Sequence, residues 1–179
     1  MRRRLSSNPS IEQTCPSKLD PMPAVLRRAK PQDAEHVAEI LITARREFMP
    51  FAPSAHPDPE VRQWAREVLL PTHEVTVATE AGQVVGVLAC SRKGEHSWID
   101  QLMLRPAAVG RGIGSQLLEQ AIATMPLPLR LYTFQLHTRA RKFYEHHGFV
   151  AIEFTDGRSN EERVPDVLYE LSQAPQRVV

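Results

Sequence analysis

Three glycines at alternate positions, Gly110, Gly112 and Gly114, have the spacing that most plainly suggests chemistry in this chain. They follow a strand-like run ending at Leu104-Arg105-Pro106 and open an amphipathic segment near Gly112. Glycine permits left-handed backbone and a close approach that side chains would block. The first amides of a helix lack partners within it, and the helix dipole stands behind them. Gly110, Arg111, Gly112, Ile113, Gly114 and Ser115 therefore form a candidate anion cradle, most naturally for a diphosphate. Two common phosphate loops are excluded. A P-loop has the form G-x-x-x-x-G-K-S/T, whereas Gly110 leads to Ser115-Gln116 and no lysine. The dinucleotide fingerprint G-x-G-x-x-G needs a third glycine where Ser115 stands. It also needs an acid about twenty residues on, and none lies between Glu119 and Glu145.

Other reactive side chains give less. His146 and His147 are neighbours on a predicted helix and point in different directions, with no third ligand spaced to join them, so no metal site is expected. Ser115 has no Ser–His–Asp context and reads as a helix-start amide, not a nucleophile. Strand alternation puts His96, Trp98, Asp100, Leu102 and Leu104 on one face, which makes Asp100 an acid within an apolar row. His56 reads as a loop histidine. The acidic stretch Asp156–Asp166, with Glu161 and Glu162, reads as a solvated loop whose charge would suit a cationic amine.

The elements that must position these residues alternate along the chain. A strand is expected over Ala24–Ala29, then a helix opened by Pro31 and Asp33 and carrying Val37, Ile40, Leu41 and Ala44 on one stripe. Prolines at 50, 53, 57 and 59 interrupt before a second helix over Pro59–Leu70, with Val61, Trp64, Val68 and Ala65 facing inward. Strands near Glu74–Glu80 and Gln83–Ser91 flank a tight Ala81-Gly82 turn, and a third runs over His96–Leu104. Beyond the glycine loop come a helix to Thr124, a strand near Leu129–His137 and a helix over Arg139–His147. Strands near Phe149–Thr155 and Val167–Leu171 follow.

With 179 residues and 20.2 kDa the chain suits one domain, and 42% hydrophobic with 24% charged residues is ordinary globular composition. No run of about 18 apolar residues offers a membrane span. The net charge of +1 is uneven. Residues 1–30 hold seven basic and two acidic side chains, while residues 31–179 hold 15 basic and 19 acidic. That balance gives no reason to expect nucleic acid or a membrane as partner. Residues 1–23, basic and rich in proline and serine, read as a tail before a domain at 24–173, with Met22 a conceivable native start and 174–179 a second tail. Cys15 and Cys90 form no C-x-x-C motif, which suits a reducing cytoplasm.

Two blocks together resemble the GCN5-related N-acetyltransferase superfamily. Val109-Gly110-Arg111-Gly112-Ile113-Gly114 is similar to its diphosphate loop, Q/R-x-x-G-x-G/A, with Val109 in place of Gln or Arg. Leu102–Pro106 resembles the family's L-x-V-x-P strand end, with Leu104 at the Val position. About twenty-five residues later, the run from His137 to Phe149 resembles N-x-R/P/K-A-x-x-x-Y-x-x-x-G-F, with His137 where Asn is usual.

The resemblance covers roughly residues 24–171. It implies one α/β (α+β) domain with a mixed, mostly antiparallel sheet of about six to seven strands and about four helices. It further implies acetyl-CoA as co-substrate and no metal. The main chain of Met103, Leu104 and Arg105 would pair with the pantetheine arm, beside Val109 and His137, and a main-chain amide near Leu102 or Met103 would meet the oxyanion. Tyr144 would be the general acid for the departing thiolate. For the base, Asp100, the more distant His96 and a water chain all stay open. The expected reaction is acetyl transfer to a primary amine of a small molecule or peptide in a ternary complex. A non-catalytic acyl-CoA sensor is the alternative. The acceptor and the oligomeric state, a homodimer included, are left open.

Overall fold

The computed structural model describes residues 24–52 and 54–173; both stretches read above as tails lie outside the described residues. Strand β1 (Val25–Arg28) leads into a short 3-10 turn, Pro31–Asp33. Asp33 is buried there and accepts from Arg27 Nη1 and Nη2 at 2.7 and 2.8 Å and from the Lys30 amide at 2.7 Å. The Arg27 hydrogen bonds hold its carboxyl below the usual range, so it stays ionised and closes the turn that launches α1 (Ala34–Phe48). Val37, Ile40, Leu41 and Ala44 form the buried stripe of α1, as their spacing predicts.

The second helical segment differs in its inward face. α2 (Asp58–Trp64) runs into a π turn, Ala65–Leu69, and on into α3 (Leu70–Thr72). The wider turn displaces the 3.6-residue stripe, so Leu69 is fully buried whereas Val68 is 41% exposed. Counting this continuous segment once, four helical bodies flank the sheet among the described residues.

Seven strands form one sheet in the order β1-β2-β3-β4-β5-β7-β6. They are β1, β2 (Glu74–Glu80), β3 (Gln83–Lys93), β4 (His96–Leu104), β5 (Leu129–Phe134), β6 (Val150–Phe154) and β7 (Asp166–Leu171). Every pairing is antiparallel except β4 with β5. α4 (Ile113–Thr124) and α5 (Thr138–His146) flank one core, in which Leu88, Ile113, Leu117, Leu118, Leu129 and Tyr169 are buried. α1 and the second helical segment supply Val37, Ile40 and Leu69 to the other, against Val75, Val77 and Val87.

Two irregularities shape the site. The parallel pairing of β4 with β5 covers only Ser97 with Leu129 and Trp98 with Arg130, beyond which no ladder joins the strands. The second is a β-bulge: Ala89 faces Gln101 but Cys90 faces Ile99, so Asp100 is the extra residue of β4. The alternation expected from the sequence therefore breaks at Asp100. Ile99, Leu102 and Leu104 pack in the core beside α4, while the Asp100 carboxylate lies 2.8 Å from Lys93 Nζ and 3.7 Å from His73 Nε2.

Candidate functional site

The parting of β4 from β5 leaves a cavity of about 310 Å³, lined by Leu102, Met103 and Leu104 of β4, by the glycine turn, and by His137, Ala140, Phe143 and Tyr144. The ladder fixes which main-chain groups face it. The Arg105 amide donates to the Val85 carbonyl at 2.8 Å, and Leu104 and Met103 sit opposite Gly86 and Val87. Antiparallel pairs alternate between bonded and non-bonded. The amides of Arg105 and Met103 are therefore directed at β3, and those of Leu104 and Leu102 at the open side. Gly86 helps to fix Leu104. A Cβ there would lie 2.5 Å from Leu104 Cδ2 and 3.1 Å from Leu117 Cδ1.

At one end of the cavity, Gly110 (φ +84°) and Gly112 (φ +80°) take left-handed conformations. Gly112 caps α4, and no side chain caps the free amides of its first turn. A Cβ on Gly112 would meet nothing within 4 Å, so the space above the turn is open. Gly110, Gly112, Gly114, Ser115 and Val109 all line the cavity. The side chains of Arg111 and Ile113 do not. Arg111 pairs with Glu80 of β2 at 2.8 and 2.9 Å, and Ile113 is 2% exposed in the core. Arg105 is likewise engaged, through Nε to the Val84 carbonyl at 2.8 Å.

Arg139 supplies the cation that the sequence reading overlooked. Its guanidinium lies 5.9 Å from the Phe48 ring centroid, and Nη2 is 4.0 Å from where a Gly110 Cβ would stand. The signal was present, since Arg139 occupies the R/P/K position of the second block. Ser115 has a partner of its own. His147 Nδ1 is 2.8 Å from the Phe143 carbonyl, which only an N–H can satisfy, and Nε2 is 3.1 Å from Ser115 Oγ.

At the other end, Tyr144 is 8% exposed and its ring meets Phe143 and Phe149 edge-on. Burial alone pushes its hydroxyl well above the usual range, so it stays protonated at neutral pH. His137, at the start of α5, is pushed down by burial and by the Arg139 charge, which favours the neutral ring near pH 7. Asp100 lines neither this cavity nor the next.

A larger cavity of about 1030 Å³ adjoins the first, and Met49 and Met103 line both. Its walls come from α1, the second helical segment, β4 and the connection between β6 and β7, which contributes Glu161 and Glu162. His56 lines it too, with Nδ1 3.0 Å from Glu60 and Nε2 3.1 Å from Glu161. An anion cradle with a nearby guanidinium thus opens through a slit onto a protonated phenol and then a second chamber. That arrangement can hold a phosphorylated arm at one end and present its tip to a second molecule at the other. Among the described residues, no group of three or more His, Cys, Asp or Glu side chains is arranged to hold a metal ion.

The model of the acetyltransferase (GNAT) family matches residues 41–149, more than half of the chain. The PaiA N-acetyltransferase of Thermoplasma acidophilum, solved in complex with coenzyme A, superposes with a TM-score of 0.70 at 20% identity, covering 85% of this chain and 100% of that one. The apo form of YjaB from Escherichia coli gives 0.66 at 23% identity over 83% and 97%. Ard1 of Thermoplasma volcanium gives 0.66 at 20% over 84% and 97%. At these identities the likeness establishes the fold. No curated protein matches the chain.

Proposed function

The chain belongs to the GNAT family of acetyltransferases, and from that premise we propose that it transfers an acetyl group from acetyl-CoA to a primary amine by direct attack in a ternary complex. The observation that carries the reading is the continuity of the two cavities. The smaller runs from the glycine turn along Leu102 and Leu104 to Tyr144, and it meets the larger at Met49 and Met103.

Acetyl-CoA supplies a thioester carbonyl, which is already a good electrophile. The chain's task is then mainly to position the two reactants and manage three protons and charges. The first-turn amides of α4 and the Arg139 guanidinium receive the diphosphate, and the outward amides of Leu104 and Leu102 align the pantetheine arm. The Leu102 amide, nearer the second cavity along β4, serves the oxyanion that develops on the carbonyl. Tyr144 gives its proton to the departing sulfur. An amine that arrives as its cation first gives a proton to water in the larger cavity. The neutral amine then forms the new C–N bond as the C–S bond breaks, its surplus proton passes to the same water, and a proton from water restores Tyr144. Asp100 has no part in this scheme, because the bulge turns it to Lys93 and His73. The neutral His137 ring borders the pantetheine end of the slit, where it offers one donor or acceptor to an amide.

Calorimetric titration with acetyl-CoA tests the reading. The expected result is one site per chain, with free CoA binding comparably because the diphosphate and pantetheine carry the contacts. Absence of binding would remove the acyltransferase reading.

A further inference from the structure

We infer that the larger cavity selects a hydrophobic primary amine without a carboxylate, an arylalkyl- or alkylamine entering as its cation. This rests on the acetyl-transfer reading and specifies its acceptor. Three observations carry it.

The first is the lining. Leu41 and Ile42 of α1, Val61, Trp64 and Val68 of the second helical segment, and Met103 of β4 give the chamber an apolar wall. Val68 stays 41% exposed because the π turn swings it out of the core and towards this space. An apolar substrate body would cover it.

The second is the balance of charge. Five carboxylates line the chamber, Asp58, Glu60, Glu67, Glu161 and Glu162, against two guanidiniums and the His56 imidazole. A concave wall with this excess favours a cation and raises its local concentration.

The third is that each guanidinium already faces a carboxylate. Arg45 is paired with Glu162, donates to the Ala52 carbonyl at 3.3 Å and lies over the Phe134 ring. Arg46 contacts both Asp58 oxygens at 2.7 and 2.8 Å. An acceptor bearing a carboxylate, such as an amino acid, would enter a negative field in which it must compete with Glu162 for Arg45 and with Asp58 for Arg46.

The test compares phenethylamine, phenylalanine and putrescine as acceptors with the intact protein, with acetyl-CoA binding measured on the same preparation. Phenethylamine and phenylalanine differ only in the carboxylate, and putrescine keeps cationic charge without the apolar body. The expected kcat/KM for phenethylamine exceeds that for phenylalanine on the order of a hundredfold and that for putrescine about tenfold. The Glu162→Gln variant releases Arg45, and the preference over phenylalanine should then shrink about tenfold while CoA affinity holds. Equal or better use of phenylalanine or putrescine by the wild type overturns the inference, as does an unchanged preference in Glu162→Gln. So does bound acetyl-CoA with no turnover of phenethylamine. If acetyl-CoA itself does not bind, the acetyl-transfer reading fails, and the assignment of this chamber falls with it.

Discussion

Gly112→Glu is expected to weaken acetyl-CoA binding on the order of a thousandfold or more in Kd. Gly112 lines the smaller cavity and caps α4 at φ +80°, where a Cβ meets no protein atom within 4 Å. A glutamate there projects into the space assigned to the diphosphate, and juxtaposed like charges cost several kcal/mol. The fold should tolerate the change. A carboxylate at a helix N-terminus is favourable to the helix, and the left-handed conformation costs a non-glycine residue about 1–2 kcal/mol. Gly112→Ala carries the same backbone penalty without the charge, so it separates strain from repulsion. Its affinity should stay within about tenfold of wild type, because the main-chain amides remain in place. Calorimetry on the three proteins checks both. Equal losses in the alanine and glutamate variants would mean that backbone strain, not the diphosphate, is being read.

Tyr144→Phe should lower kcat on the order of a hundredfold while leaving acetyl-CoA affinity nearly unchanged. The hydroxyl's raised pKa has burial as its only cause, so phenylalanine removes the proton donor without orphaning a partner and keeps the edge-on contacts with Phe143 and Phe149. The size follows from the leaving group. A thiol of pKa about 8.5 departs readily, which places the effect at the low end of general acid catalysis. The raised pKa also fixes the pH behaviour. The hydroxyl ionises only at strongly alkaline pH, so the ratio of wild-type to variant kcat should be flat from about pH 6 to 8.5. A ratio that changes across this range, or an unchanged kcat, would remove Tyr144 from the proton-donor role.

The two halves of the site were not equally legible in the sequence. The cradle is built from consecutive residues whose left-handed turns and free amides are local consequences of Gly110 and Gly112, so their spacing announces it. Its paired cation, Arg139, went unread because a motif position allowing R, P or K does not say where the guanidinium lies. Asp100 shows the limit of strand alternation. The bulge between β3 and β4 adds one residue, and every inference about the face Asp100 occupies reverses with it. The π turn does the same to Val68 and Leu69 in the second helical segment. The larger chamber was least legible. Its walls meet only in three dimensions, as Arg45 and Glu162 do across 117 positions of sequence. Taken alone, Asp156–Asp166 reads as a solvated acidic loop, yet Glu161 and Glu162 face the chamber.

Transfer itself is tested most directly by incubating the protein with acetyl-CoA and phenethylamine, titrating the free thiol and measuring N-acetylated amine by mass spectrometry. Direct attack in a ternary complex predicts equal amounts of thiol and acetylated amine, and no thiol above the uncatalysed rate when the amine is left out. Thiol released at the same rate without amine would contradict the account, as would bound acetyl-CoA that yields neither product with any primary amine offered.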